Sequence, residues 1–356
     1  MALYLNHGLL AGAAIVAGLV QAVDPAAAQT QYQAIDLSYA GNYGTVINGV
    51  SAGQGAGYSI YDVYFIDHVK HYRLHAMYWP AGGAPEVELN PFDSPYSNAT
   101  SASGRKQAGF ASIKVGATYQ SHAIVWHGTA ASARDITMPG YDNSSAAGID
   151  GNNVVGQANG TATGGHVHAV LWDLNAYAIT DLNGTGHQES GAVATSGKQQ
   201  VGWATDPYGA DIHAMLWKGD SASAVDLNPA GFQTSNAYGV DHGRQIGDAQ
   251  TLSTAHAILW HGSAASAVDL NPKGYVYTYG TGIAGSKQVG FGTKPDYKYH
   301  ALVWSGRASK VVDLQSFLPA SLVQSYATSI DAAGNIGGWA TDTAGVNHAI
   351  LWQPLP

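Results

Sequence analysis

The pattern His-Ala-x-x-Trp occurs seven times in this 356-residue chain, at intervals of 43 to 48 residues. The copies begin at His75, His122, His168, His213, His256, His300 and His348. Two other anchors recur with the same period: an acidic–aliphatic pair such as Asp226-Leu227, and a glycine-ended segment such as Gln245-Ile246-Gly247. Repetition at this period marks one structural unit per copy, so the fold must be built from seven similar units.

Each unit has the pattern of four short β-strands separated by turn residues. In the copy around His256 the predicted strands are residues 236–240, 245–251, 256–260 and 267–270. Four strands in about 45 residues are typical of a propeller blade, and a closed ring of blades leaves no apolar end exposed. The sequence therefore predicts an all-β fold, a seven-bladed β-propeller with four-stranded blades.

The two ends of the chain predict how the ring closes. Residues 34–37 match the outer strand at 224–227, and residues 348–352 match the third strand of a unit. One blade is therefore predicted to combine an N-terminal outer strand with three strands from the C-terminus. Such a blade holds the ring shut and removes the free edges that would otherwise invite pairing with another chain.

The N-terminal segment has the pattern of an export signal. Residues 8–20 are apolar but too few to span a bilayer, and Ala26-Ala27-Ala28 supplies small residues for cleavage. We therefore predict a signal peptide over residues 1–28 and the propeller over residues 29–356, with no membrane span after cleavage. We predict a bacterial protein that is secreted, periplasmic or located at the cell surface.

Charge and cysteine content exclude several classes of protein. The net charge is −9 at pH 7, and only 11% of the residues are charged. A protein that binds nucleic acid through the phosphate backbone needs a basic surface, so no nucleic-acid partner is predicted. The chain contains no cysteine, which excludes a fold held together by disulfides.

The succession His-Ala-x-x-Trp, Asp-Leu-Asn-Pro, Ala-x-Gly-Val and Gln-Val-Gly resembles the HAF-family extracellular repeat of secreted bacterial proteins. Residues 213–247 carry a close match, and the resemblance extends over essentially the whole chain after the signal segment. It implies export and a propeller-like fold. The family has no single activity, so the resemblance implies none.

The seven repeated histidines are predicted to be structural. In a strand, His213, Met215 and Trp217 share one face, and a regular hairpin places His213 diagonally opposite Asp226. Such an imidazole–carboxylate pair is expected in every blade, whereas an active site needs its acid or base only once. Ligand binding is therefore expected where the copies differ and face solvent.

Candidate ligand-binding residues are aromatic side chains in loops on one predicted face. These loops lead into the inner strands or join the second and third strands of a blade. Aromatic rings beside Asn, Ser and Gly are suited to stacking on sugar rings, and packing between blades is the alternative role. The candidates are Tyr39, Tyr43, Tyr96, Tyr141, Phe232, Tyr277 and Tyr297.

One loop is longer than its counterparts. The first unit takes 18 residues from the strand-ending Gly57 to His75, and the other units take 9 to 13. The extra segment, residues 62–73, is expected to project as a loop from the same face. It is rich in cationic and hydrogen-bonding side chains, and it adds His68 and Lys70 to the predicted ligand-binding residues.

The same segment contains the candidate catalytic residues His71, Tyr72 and Arg73. In a polysaccharide lyase, a His or Tyr base acts beside a cation that neutralises the carboxylate of a uronate. His-x-x-His outside a helix is a weak metal signal. No metal ion and no cofactor are therefore predicted.

Three functions stay open on the sequence alone. The leading hypothesis is a non-enzymatic propeller that binds an oligo- or polysaccharide, or another extracellular surface partner, through its aromatic loop face. The second is a polysaccharide lyase that acts by β-elimination on acidic polysaccharide at the enlarged loop. The third is an extracellular structural scaffold without a small ligand. Binding is favoured over catalysis.

Overall fold

The structure is a computed structural model that describes residues 30–38, 43–66 and 69–356. For residues 65, 66, 69 and 70 it describes the backbone but not the side chains. The described residues form seven four-stranded antiparallel sheets. The innermost strand of each sheet lies against the innermost strands of both neighbouring sheets, so these seven strands surround a common axis. The prediction of an all-β, seven-bladed β-propeller is confirmed. The predicted signal peptide, residues 1–28, lies outside the described residues.

The strands of a blade run outward from the axis in chain order. Blade 1 consists of β2 (Thr45–Ser51), β3 (Gln54–Ile66), β4 (Val69–Trp79) and β5 (Val87–Glu88). Blade 2 consists of β6 (Ser97–Ser103), β7 (Lys106–Val115), β8 (Thr118–Trp126) and β9 (Arg134–Asp135). Blade 3 consists of β10 (Asn143–Asp150), β11 (Asn153–Asn159), β12 (His168–Asp173) and β13 (Ala178–Asp181).

Blades 4 to 6 follow the same order. Blade 4 consists of β14 (Ser190–Ser196), β15 (Gln199–Thr205), β16 (Ile212–Trp217) and β17 (Val225–Asp226). Blade 5 consists of β18 (Thr234–Asp241), β19 (Arg244–Gln250), β20 (Ala255–Trp260) and β21 (Val268–Asp269). Blade 6 consists of β22 (Tyr277–Ala284), β23 (Lys287–Thr293), β24 (Tyr299–Trp304) and β25 (Val311–Asp313).

Blade 7 joins the two ends of the chain. It consists of β26 (Leu322–Ile330), β27 (Ile336–Asp342), β28 (Asn347–Pro354) and, as its outer strand, β1 (Tyr32–Asp36). The register pairs Ala34 with Trp352 and Asp36 with Ile350. The predicted closure by one N-terminal and three C-terminal strands is confirmed.

Helical structure in the described chain is limited to single turns. Short 3-10 helices lie at Ala130–Ser132, Thr161–Thr163, Ser221–Ser223, Ala264–Ser266, Ala308–Lys310 and Leu314–Phe317. Within the described ranges, no helix has both the length and the apolar character needed to cross a membrane.

A close approach between the first two strands explains the strand-ending glycine of each unit. At Gly247 a Cβ atom would lie 1.9 Å from the carbonyl oxygen of Asn236 on β18. The register shifts there between Ala237 and Gly239, which is the mark of a β-bulge. The equivalent glycines meet an inner-strand carbonyl oxygen within 2.0 Å: Gly57, Gly109, Gly156, Gly202, Gly290 and Gly338. No side chain fits at this position.

A buried hydrogen bond joins each blade to the next. The backbone N–H of the motif alanine Ala214 donates to the hydroxyl of Ser235, on the inner strand of the following blade, at 3.0 Å. The described chain repeats this bond in all seven blades at 2.9 to 3.0 Å, and the accepting residues are at most 3% exposed. They are Ser97, Ser144, Ser190, Ser235, Thr278, Ser325 and Thr45.

Each motif histidine is hydrogen-bonded to the acidic anchor of its own blade. His213 Nδ1 lies 2.8 Å from Asp226 Oδ2, and the seven Nδ1–carboxylate distances in the described blades range from 2.5 to 2.9 Å. The other oxygen of Asp226 accepts the N–H of Asn228 at 2.7 Å and so orders the turn after the outer strand. The histidine side chains are 13% to 33% exposed. The pair is thus a repeated structural contact.

The motif tryptophans fill the spaces between blades. Trp217 of blade 4 packs in one cluster with Val155, Ala169 and Leu182 of blade 3, and it is 1% exposed. Burying such a ring removes roughly 150–250 Å² from water, which stabilises the fold by about 4–6 kcal/mol as an upper bound. Repetition around the ring makes these contacts the main apolar core of the molecule.

The enlarged segment of the first unit is a paired β-hairpin, which corrects the expectation of an open loop. β3 and β4 remain paired from Gly55 and Trp79 out to Ile66 and Val69. Continuing the ladder pairs the inward-facing backbone N–H and C=O groups of the two strands, which an open loop of this length would not do. Residues 67–68 of this segment lie outside the described residues.

Replacing Ser235 with Ala tests the hydrogen bond between blades. The change leaves the Ala214 N–H buried without its acceptor, so the free energy of unfolding should fall by about 1–3 kcal/mol. Urea unfolding followed by tryptophan fluorescence measures this fall. Ser253→Ala, in an exposed turn of blade 5, is the control and should change stability by less than about 0.5 kcal/mol. Equal stability of the two variants would show that the hydroxyl does not hold the blades together.

Candidate functional site

The segments that carry the predicted ligand residues lie at one end of the propeller, which we name the upper face. It consists of the loops that lead into the inner strands and the hairpins that join the second and third strands. The N–H of Tyr43, before β2, donates to the carbonyl oxygen of Ile60 on β3 at 3.2 Å, which places the two kinds of segment side by side.

Exposed apolar side chains are concentrated on the upper face. In the described chain its exposed large hydrophobic residues are Tyr43, Tyr61, Tyr72, Phe92, Val115, Tyr119, Tyr208, Ile212, Leu252 and Tyr297. Elsewhere in the described ranges, exposed residues of this size are Tyr177 and Leu355. The upper-face residues are distributed over the segments of blades 1, 2, 4, 5 and 6.

The upper face contains a cavity of about 580 Å³, which we name the tyrosine groove. Its walls are the β3–β4 hairpin, the loops before β2 and β6, and the turn between β27 and β28. The lining residues are Tyr43, Tyr58, Ile60, His71, Tyr72, Leu74, Tyr96, Ala344, Gly345, Val346 and Asn347. This described lining contains four tyrosines and no Asp, Glu, Lys or Arg. The groove is therefore aromatic and close to neutral.

The four tyrosines of the groove differ in exposure. Tyr43 is 58% exposed and Tyr72 is 44% exposed, so both rings are accessible. Tyr58 and Tyr96 are half-buried, and Tyr96 is stacked on Phe110 with ring centroids 5.8 Å apart. Burial raises the pKa of both half-buried hydroxyls, so they remain protonated hydrogen-bond donors at neutral pH.

The structure brings some of the predicted site residues together in the tyrosine groove. Tyr43 and Tyr96, predicted as ligand-binding, line it together with His71 and Tyr72 from the predicted catalytic set. Tyr39 and His68 lie outside the described residues, as does the side chain of Lys70. The roles themselves stay predictions.

Four other predicted ligand residues lie away from the groove. Tyr141 packs into the cluster between blades 2 and 3, and Phe232 packs into the cluster between blades 4 and 5. Tyr277 is half-buried at the start of β22. Tyr297 is 73% exposed in the blade 6 hairpin. These positions fit packing for Tyr141 and Phe232, and they do not form one site with the groove.

The candidate catalytic residues divide between the two faces of the hairpin: His71 and Arg73 both contact the ring of Tyr64, and Tyr72 lies on the other face. They are consecutive on β4, so Tyr72 points to one face of the hairpin and its two neighbours point to the other. Arg73 lies 3.9 Å from Asp62 and 5.4 Å from the centroid of the Tyr64 ring. Its charge is therefore engaged outside the groove.

Tyr58 is a lining residue that sequence analysis missed. It follows the strand-ending Gly57, and the equivalent residue in the other blades varies. The set comprises Tyr58, Phe110, Gln157, Trp203, Asp248, Phe291 and Trp339. A comparison of this one position among the seven units would have shown it, because the repeat fixes the backbone and leaves the side chain free to differ.

Comparisons with known proteins match the fold but no family. No protein-family model matches the chain, and no curated protein matches it significantly. A puromycin hydrolase is 11% identical with a TM-score of 0.55, over 86% of this chain and 53% of that chain. The acylaminoacyl peptidase of Pyrococcus horikoshii is 11% identical with a TM-score of 0.54, over 86% and 51%. This chain spans about half the length of these two proteins.

A third similar structure is a propeller without a further domain. The β-propeller domain of the Trilobed protease from Pyrococcus furiosus is 8% identical with a TM-score of 0.52, over 87% of this chain and 94% of that chain. That domain is described as having an open velcro topology, whereas β1 pairs with β28 in this chain. At these identities the similarity shows the propeller fold alone.

One spacing associated with hydrolases occurs in the chain, at Gly49-Val50-Ser51-Ala52-Gly53. In α/β-hydrolases, Gly-x-Ser-x-Gly lies between a strand and a helix, which exposes the serine. Here Ser51 ends β2, and the turn leads into β3. Its Oγ accepts the N–H of Gly104 at 3.0 Å and so joins blades 1 and 2. The spacing therefore has the context of a β-hairpin and not that of a nucleophile.

Asp248 is a buried carboxyl group close to the upper face of blade 5. It is 0% exposed, and its Oδ2 accepts a hydrogen bond from Gln250 Nε2 at 2.8 Å. Burial raises the pKa of Asp248 to about 6, although hydrogen bonds from Gln250 and Tyr238 favour its ionised form. Asp248 is therefore an internal charge that the fold accommodates at a cost at neutral pH.

Asp248→Asn should stabilise the protein at pH 8. The folded-state pKa of Asp248, about 6, lies above the ordinary value of 3.8, so its contribution to stability is full at low pH and is lost as the pH rises from about 4 to about 6. The difference corresponds to about 3 kcal/mol. Thermal unfolding of both proteins should show that the melting temperature of the variant rises relative to that of the wild type between pH 4 and pH 8. Parallel stability curves would contradict this account.

Proposed function

We propose that this protein is a carbohydrate-binding β-propeller whose tyrosine groove holds a neutral oligosaccharide. The observation that carries the proposal is the composition of the groove, which has four tyrosines and no charged Asp, Glu, Lys or Arg side chain in its described lining. Binding rather than turnover is proposed, because the lining presents rings and hydrogen-bonding groups without a converging acid–base pair.

The groove suits the two surfaces of a sugar ring. The exposed rings of Tyr43 and Tyr72 offer flat apolar faces to the C–H side of a pyranose. The hydroxyls of Tyr58 and Tyr96 and the amide of Asn347 offer hydrogen bonds to sugar hydroxyls at the edges. In such a site the polar groups fix the orientation of the sugar, and the aromatic rings provide most of the contact area.

The lyase alternative has less support. β-Elimination needs a base and a cation on the same uronate. Tyr72 lies on the opposite hairpin face from Arg73. His71 shares the face of Arg73, but Arg73 lies 3.9 Å from Asp62 and outside the described lining of the groove. A neutral lining also favours a neutral sugar over a polyuronate. A structural scaffold, the third alternative, would need no groove of this kind.

The proposal includes export from a bacterial cell and membership of the HAF-repeat group. It is supported by the signal-like N-terminal segment and by the repeated motifs that resemble the HAF repeat. The activities of the similar peptidases are not proposed for this chain, because a match at 11% identity concerns the fold.

Removing one exposed ring tests the proposal. Tyr43→Ala and Tyr72→Ala should each weaken sugar binding by about two- to tenfold, because a stacked ring contributes about 0.5–1.5 kcal/mol. Isothermal titration calorimetry with the hexasaccharides of cellulose, xylan, mannan and laminarin gives the affinities. Tyr208→Ala, an 88% exposed tyrosine on the blade 4 hairpin, is the matched control and should bind as the wild type does.

Two results would contradict the proposed function. The first is the absence of binding to all four hexasaccharides by the wild-type protein. The second is an equal loss of affinity in Tyr208→Ala, which would show that the groove is not the site. Release of unsaturated products from polygalacturonate would instead support the lyase alternative.

A further inference from the structure

A second aromatic cluster lies on the upper face of blades 6 and 7. The rings of Tyr279 and Phe291 are stacked with centroids 5.0 Å apart, and Phe291 meets Tyr326 edge-on at 4.9 Å. Tyr326 is stacked on Trp339 at 3.8 Å and 18°. All four side chains are half-buried, so each retains some surface towards solvent.

This cluster lies next to the tyrosine groove. Trp339 precedes Thr341 by two residues on β27, and Thr341 is the register partner of Asn347, which lines the groove. Two residues of a strand span about 7 Å. Trp339, at the edge of the cluster, is therefore close to Asn347, which forms part of the groove wall on blade 7.

Together the two sets form an aromatic band, defined by Tyr279, Phe291, Tyr326 and Trp339 on one side and by Tyr43, Tyr58, Tyr72, Tyr96 and Phe110 on the other. The band crosses the four consecutive blades 6, 7, 1 and 2. Since packed sheets lie about 10 Å apart, its length is on the order of 20–30 Å.

The band ends at blades 3 and 5, where the repeat position after the glycine is not aromatic. Blade 3 has Gln157 there and blade 5 has the buried Asp248. Blade 4 has Trp203, whose indole lies directly over Gly191: a Cβ on that glycine would be 2.7 Å from Trp203 Nε1. Trp203 thus occupies the same repeat position as Trp339 without neighbouring aromatic rings on its own inner strand.

We propose that the ligand is a linear neutral polysaccharide, which lies along the aromatic band and occupies several subsites beyond the groove. This inference rests on the proposed function and names the class of its ligand. A chain of sugar rings presents a repeated apolar face, and a row of ring-bearing side chains across four blades matches that repetition. A short sugar would contact the groove alone.

Affinity as a function of chain length tests the inference. The probes are the di- and hexasaccharides of cellulose, xylan, mannan and laminarin, measured by calorimetry. For at least one of the four polymers, the hexasaccharide should bind at least tenfold more tightly than the disaccharide. Trp339→Leu, which keeps apolar volume but removes the ring, should reduce this ratio to about threefold or less while disaccharide affinity is kept.

Trp203→Leu is the matched control, because it removes the same ring from the same repeat position outside the band. It should retain the wild-type ratio. Thermal unfolding of both variants confirms that each is folded at the temperature of the titration.

The possible failures can be distinguished. If no probe of either length binds, the proposed function fails and the inference fails with it. If disaccharides and hexasaccharides bind equally well, the groove stands as a sugar site but the ligand is not held along the band. If Trp203→Leu reduces the ratio as much as Trp339→Leu does, the assignment of the subsites to blades 6 and 7 is wrong.

Discussion

The hydrogen bond from the motif alanine to a hydroxyl of the next blade holds the loops that lead into the inner strands. Ala76 N–H donates to Ser97 Oγ at 2.9 Å, and that hydroxyl donates to Asn90 Oδ1 at 2.6 Å. Asn90 in turn donates to the carbonyl oxygen of Ser94 at 2.9 Å, in the loop that carries Tyr96. At the junction of the ring, Ala349 N–H donates to Thr45 Oγ1 at 2.9 Å, just after Tyr43. One repeated contact therefore fixes the loops on both sides of the tyrosine groove.

The seven-fold scaffold leaves specific positions free to differ. The repeat glycine within each second strand cannot change, since its Cβ would meet a carbonyl oxygen of the inner strand, but the residue that follows it is free to differ between blades. Aromatic rings fill this position in the consecutive blades 6, 7, 1 and 2 and also in blade 4, and blade 1 adds a long hairpin as a wall. A symmetric framework can thus support an asymmetric surface, because packing and hydrogen bonding are satisfied by the repeated residues.

The fold could be predicted from the sequence because repetition at a fixed period restricts it to stacked or closed arrays of similar units. The groove could not, because its walls come from segments far apart in the chain: Asn347 and Tyr43 meet only after β1 closes the ring. The hairpin of residues 62–73 could not be predicted fully either, although its residues are close together in the chain. Its composition indicated a site, but the pairing of β3 with β4 turns Arg73 away from Tyr72.

Hydrogen–deuterium exchange with and without a bound hexasaccharide tests the central claim most directly, because it locates contact without altering the protein. The account predicts slower exchange at residues 43–46, 58–62, 71–74 and 342–347 when the sugar is bound. Turns on the opposite face, such as residues 151–152, 197–198 and 242–243, should exchange at unchanged rates. Protection of those turns, or unchanged exchange around the groove at a saturating sugar concentration, would contradict the assignment of the tyrosine groove as the binding site.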